Sequence, residues 1–148
     1  MAKLTRRECE RLVAAARKAR RSALAEYSGF AVGAALLTGD GAVFTGANIE
    51  SSSYGLSLCA ERIAIAAALN RRCGTIRAIA VVAAGRSVVT PCGACRQWLH
   101  DFAPTAEVIL ATLRGKDFIV TTIADLLPRA FGSEMLPRRS GTIIRRKR

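Results

Sequence analysis

Residues 90–99 read TPCGACRQWL, with Cys92 and Cys95 three apart behind a Thr-Pro pair. That spacing serves a dithiol redox pair, half of a structural zinc site or part of a catalytic metal site, and each gives a different protein. The local pattern places it on a helix. Thr90 is expected to cap it and Pro91 to take the first helical position, with the end near Ala103-Pro104. Both cysteines then fall in the first turn and share a face. The positive partial charge of a helix N-terminus favours thiolates there.

Working outward, LCAERIAIAAAL at 58–69 opens in the same way, with Ser57 as the expected N-cap and Cys59 in the first turn. Between the two helices, TIRAIAVVA at 75–83 has the length and β-branched content of a strand. Two helix N-termini at neighbouring strand ends can aim three thiolates at one point. Toward the N-terminus, residues 4–25 have helical periodicity, with Leu12, Val13, Ala16, Ala19, Ala23 and Leu24 as the apolar stripe. AVGAALLT and AVFTGANI flank Gly39-Asp40-Gly41, a strong hairpin signal. SSSYGLS is a loop. AEVILAT and KDFIVTTI read as two further strands, and ADLLPRAF as a short helix and turn. The order αββαβαββα predicts a three-layer α/β/α sandwich around one mixed five-stranded sheet.

The totals agree with one compact unit. The chain has 148 residues, 51% of them hydrophobic, which is enough for one core. No apolar run is long enough to span a bilayer. The N-terminal residues have charges but no apolar stretch of the secretory type behind them. Five irregularly spaced cysteines then imply reduced thiols and a cytoplasmic location, not a disulfide framework. The net charge of +12 is unevenly distributed. Residues 1–26 hold eight Lys/Arg against three acids, residues 137–148 hold six against none, and the body holds nine against eight. Specific nucleic-acid recognition is therefore not expected of the body. Residues 1–136 are taken as the domain and 137–148 as a basic tail.

A structural zinc site needs four protein ligands, and a second C-x-x-C is missing. The single histidine, His100, lies two turns beyond Cys92 on a segment expected to face outward. A redox pair would leave Cys59 and its neighbours unexplained. Three thiolates with an open fourth position fit a catalytic zinc with a bound water. Glu61, at the same helix mouth, either serves the helix dipole or shuttles protons beside such a water. Arg62 is either a surface arginine or a guanidinium that offsets the charge of three thiolates.

CAER at 59–62 with PCGACRQ at 91–97 resembles the zinc-dependent cytidine deaminases. YSGFAVGAALL, NIE at 48–50 and LLPRAF at 126–131 extend the resemblance over residues 27 to about 136, in the small homotetrameric nucleoside form. The resemblance implies hydrolysis of cytidine and 2′-deoxycytidine to uridine and 2′-deoxyuridine in pyrimidine salvage. Cys59, Cys92 and Cys95 would hold one Zn²⁺ per chain, whose hydroxide attacks C4, and Glu61 would move the protons. Asn48 and Glu50 would bind the ribose hydroxyls, and Phe30 would line the pocket. The backbone at Ala60 would read the pyrimidine edge. Tyr54 and Phe131 would reach a neighbouring subunit's site. Two departures stand out: AAGRSVV lacks an acidic residue common in relatives, and the basic ends lie outside the pattern. A deaminase of a cytosine-nucleoside antibiotic such as blasticidin S is the nearest rival, against which NIE speaks. A polynucleotide deaminase needs aromatic stacking platforms, and only 5% of the chain is aromatic.

Overall fold

The computed structural model describes residues 3–137; the basic segment 138–148 lies outside the described residues. Helix α1 (Arg6–Ala19) is closed at its start by a Thr5–Glu8 capping box. Strands β1 (Val32–Thr38) and β2 (Val43–Ala47) form the expected hairpin. Gly41 takes φ +86° in its turn, where a side chain would be strained. Helix α2 (Ala60–Asn70), strand β3 (Ile76–Ala83), helix α3 (Gly93–Phe102), strands β4 (Glu107–Thr112) and β5 (Phe118–Thr122), and the single turn α4 (Ile123–Leu126) complete the order.

The five strands lie in the order β2-β1-β3-β4-β5. Only β3–β4 is parallel, as it must be where a helix, α3, makes the crossover. The period-two alternation of β1, β3 and β4 divides the core in two. Ala35, Leu37, Ala78, Ala80, Val82 and Ile109 pack under Leu12, Val13 and Ala16 of α1. On the opposite face, Ala34, Leu36, Ile79, Val81, Val108 and Leu110 meet Ala64, Ile65 and Ala68 of α2 and Leu99 of α3. The sandwich is therefore the expected one. Glycines bring its layers together. A Cβ at Gly33 would strike the Ala16 carbonyl of α1, and one at Gly46 the Ala60 carbonyl of α2. The latter contact seats the first turn of α2 directly on β2.

The element boundaries correct the sequence expectations at three points. The first helix does not reach residue 25: α-geometry stops at Ala19 and a 3₁₀ turn, Arg20–Ser22, follows. Leu24, expected in the buried stripe, is exposed and bridges Ile49 in extended backbone. The other two corrections concern the caps. Cys59, not Ser57, is the N-cap of α2, and Cys92, not Thr90, is the N-cap of α3. Both expected caps are otherwise employed. Ser57 Oγ accepts from the Ser51 N–H at 3.1 Å, and Thr90 Oγ1 accepts from Arg96 Nη2 at 2.7 Å.

Candidate active site

The cap correction has a direct chemical effect. Cys59 and Cys92 sit in extended backbone at the threshold of their helices, and neither helix has a side-chain cap hydrogen bond. Their sulfurs therefore lie where the uncapped N–H groups concentrate positive partial charge. Cys95, at the third helical position of α3, completes the group, and the three Sγ atoms lie within 4.8 Å of one another. Cys59 Sγ and Cys92 Sγ are 3.7 Å apart. Thiolates bound tetrahedrally to zinc at about 2.3 Å stand roughly 3.8 Å from each other, so the donor set suits that metal. His100 is half-buried late in α3 and is not part of the group.

The electrostatics separate the three sulfurs. A hydrogen bond from the Cys95 thiol, joined by the Arg62 guanidinium, lowers the Cys59 thiol to about 5. Cys95 is pushed in the opposite direction by sharing its proton with Cys59 and by burial. Arg62 Nη2 donates to the Ser57 carbonyl at 2.8 Å and to Cys59 Sγ at 3.9 Å, while its Nε is buried without a partner. A cation with a donor to spare therefore stands against a cluster that becomes net anionic when all three thiols ionise around a divalent metal.

Glu61 is only 4% exposed. Burial, and secondarily the Cys59 charge, raise its carboxyl above the ordinary carboxylate range. It faces a cleft of about 260 Å³ lined by Ser28, Phe30, Asn48, Glu50, Cys59, Ala60 and Cys92, among others. Cys59 and Cys92 of the metal-capable group thus share one cavity with the Asn-x-Glu motif, which lies 42 or more residues from Cys92. Asn48 Oδ1 accepts from the Val32 N–H at 2.7 Å and its Nδ2 donates to the Phe30 carbonyl at 2.9 Å. Glu50 accepts from the Tyr27 and Ser28 N–H groups at 2.9 and 3.0 Å, and from the Ser28 hydroxyl. These bonds hold its carboxyl below the usual range, Ser28 foremost.

Two expected site residues stand apart. Tyr54 and Phe131 are 72% and 59% exposed, and neither lines the cleft. Tyr54 rests edge-on against Tyr27 at 5.8 Å. The Phe131 carbonyl accepts from Gln97 Nε2 at 2.8 Å. Sequence reading gave no role to Ser28, Arg96 or Gln97. Arg96 donates to the Pro91 carbonyl at 2.7 Å and the Leu126 carbonyl at 2.9 Å, besides Thr90, so it ties the Cys92 loop to α4. Arg96 and Gln97 were visible only as letters of CRQ, because the Pro91, Leu126 and Phe131 carbonyls they reach carry no sequence signal, and Ser28 only as a letter of YSGF, because Glu50 lies 22 residues away.

A buried carboxylate beside three clustered cysteines in a ligand-sized cleft defines a zinc hydrolase site on an α/β/α sandwich. A family profile described as the cytidine and deoxycytidylate deaminase zinc-binding region matches residues 6–112. The chain belongs to this deaminase family and is an enzyme of that class, with zinc as its cofactor. It is 45% identical over 130 residues to the cytidine deaminase of Sporosarcina psychrophila, covering 87% of this chain and 95% of that one. The crystal structure of the cytidine deaminase from Burkholderia pseudomallei superposes with a TM-score of 0.78 at 49% identity, covering 82% of this chain and 97% of that chain. A blasticidin-S deaminase from Bacillus cereus is more distant, 34% identical over 105 residues, covering 66% of this chain and 74% of that one.

Proposed function

We propose that the chain hydrolyses cytidine and 2′-deoxycytidine to uridine and 2′-deoxyuridine with release of ammonia, in pyrimidine salvage in the cytoplasm. The observation that carries this reading is one cleft lined by Cys59, Cys92 and Glu61 as well as by Asn48 and Glu50, with Cys95 buried beside the first two. Cys59, Cys92 and Cys95 would hold the zinc, which would supply Lewis-acid activation of a water for attack on C4. Glu61 is the acid/base that would accept a proton from the attacking water and deliver it to the leaving amine. Its raised pKa suits a group that must both accept and give a proton near neutrality. Arg62 offsets the charge of the thiolates. The Ala60 backbone at the uncapped start of α2 reads the pyrimidine edge.

The sugar end follows from what Asn48 and Glu50 have left to offer. Asn48 spends one N–H on Phe30 and keeps a second donor. Glu50 is held ionised and aimed by the Tyr27–Ser28 turn, and an acceptor-only carboxylate complements a ribose hydroxyl. Phe30 walls the cleft beside them. Tyr54 and Phe131 complete the pocket of a neighbouring chain in a homotetramer. Their exposure supports this, together with that of Leu24, Ile49, Leu56 and Leu58, since solvent-facing apolar groups of this size mark contact surfaces. Residues 1–136 form the catalytic domain and 137–148 a tail that catalysis does not need.

The test is a substrate panel with metal analysis: cytidine, deoxycytidine, free cytosine, blasticidin S and single-stranded DNA, each followed by loss of absorbance. Turnover of the two nucleosides with about one zinc per chain, and poor turnover of cytosine, is expected. Preference for blasticidin S or DNA would overturn the assignment.

A further inference from the structure

The positive charge that deamination leaves unused gathers on one face. Helix α1 turns Cys9, Leu12, Val13 and Ala16 into the core. Its opposite side presents Arg7, Arg11 and Lys18, and the following turn adds Arg21, all exposed. At about 3.6 residues per turn the first three share one stripe, and at about 1.5 Å per residue the run from Arg7 to Arg21 covers roughly 21 Å. The acids of the helix do not cancel this charge. Glu8 is paired with Arg77 at 3.0 Å and Glu10 with Arg6 at 2.9 Å. Among the described residues these are the two ion pairs, so the four stripe cations have no carboxylate partner.

Arg17 extends the stripe sideways. Its Nη2 donates to the Thr112 carbonyl at 3.0 Å and the Gly115 carbonyl at 2.7 Å, which ties the β4–β5 turn to α1. That turn carries exposed Arg114 and Lys116, with Asp117 as its one acid. Six cations thus form a band, and none of them lines the cleft.

We propose that this band is a docking surface for the phosphate backbone of nucleic acid, bound without regard to sequence. Four of the six cations are arginines, whose forked guanidinium matches phosphate oxygens. The sequence of α1, RRECERLVAAARKA, contains no aromatic residue on which a base could stack, so the face reads charge and not sequence. A lipid surface is a poorer fit, because an interfacial helix must present apolar side chains and those of α1 are already buried under the sheet. A second copy of the chain is poorer still, since a two-fold contact would set like charges against each other.

The test is fluorescence anisotropy of the full chain with labelled oligouridylate and oligothymidylate, over a salt series. Equal binding of both is expected, with affinity falling roughly 50- to 350-fold between 50 and 200 mM salt, as release of counterions by about four to six phosphate contacts on a single strand requires. The combined variant Arg7→Gln, Arg11→Gln, Lys18→Gln and Arg21→Gln should lose at least about tenfold in affinity and flatten the salt slope. Cytidine turnover should stay at the wild-type level. Arg114→Gln with Lys116→Gln, which leaves the helix untouched, should weaken binding in the same direction. Wild-type affinity in both variants overturns the proposal. So does binding of oligouridylate alone, which would mean that the 2′-hydroxyl is read. Binding that disappears on deletion of residues 138–148 but survives in both variants, or binding of phosphatidylserine vesicles and not of oligonucleotides, overturns it as well.

Discussion

Cys95 is fully buried and Glu61 nearly so, whereas Tyr54 and Phe131, expected to reach a neighbouring subunit's pocket, stand in solvent. The contrast lies in what holds each group. The metal end is fixed within one chain by backbone. Cys59 and Cys92 are helix N-caps, Gly46 lets α2 approach β2, and Arg96 staples the Cys92 loop to Pro91 and Leu126. The rim aromatics are held by little besides Gln97 and Tyr27. Chemistry that needs sulfurs placed to a few tenths of an ångström is built on rigid elements. In the homotetramer proposed above, the pocket wall that excludes water would be supplied by a second chain.

The most severe way to break this contrast is at the metal end. Cys92→Ala should empty the site of zinc and reduce turnover to background; metal content measured beside cytidine turnover checks both at once. Glu61→Gln should keep the metal and lose roughly 10²–10⁴-fold or more in kcat, because one carboxyl serves both proton transfers. A loss of less than about tenfold would return Glu61 to a partner of the helix dipole.

Smaller effects are expected toward the sugar. Glu50→Ala should cost about 1–3 kcal/mol in kcat/KM for cytidine, the scale of one hydrogen bond to a charged group, and change cytosine turnover little. Similar losses for both substrates would remove Glu50 from the sugar site. At the rim, Phe131→Ala should raise KM with zinc content unchanged, by up to the roughly 1–3 kcal/mol of one base–aromatic stack. Light scattering sharpens this: a fully active monomer would show that one chain completes its own pocket. The smallest effect belongs to the tail. Deletion of residues 138–148 should leave cytidine turnover essentially unaltered.

Much of the metal end was legible in the sequence because its signals are local. Cys92 and Cys95 at a helix start, and Cys59 and Glu61 at another, need only the 3.6-residue period and a turn signal to be placed together. The caps were misread by two residues in each case because serine, threonine and proline are the usual helix openers. Here Ser57 and Thr90 are drawn away by Ser51 and Arg96, partners that sequence proximity does not single out. Leu24 was misread for a related reason: the helical period continues through residues 20–25, yet the chain there pairs with Ile49 in extended form.

The sequence by itself determined the element order, the alternation that gives the sheet two buried faces, and the residue types that form the metal cluster. All of these depend on spacing along the chain. Only the tertiary structure decided that the cysteines cap their helices, that Arg62 meets Cys59 with a donor to spare, and that Ser28 is the residue that aims Glu50 into the cleft. It also decided that Arg17 sets a distant turn beside the basic face of α1. The Arg62–Ser57, Ser28–Glu50 and Arg17–Thr112 contacts each join a side chain to a backbone carbonyl or N–H. Backbone groups are the same in every residue, so no pattern of side chains announces where such a meeting will occur.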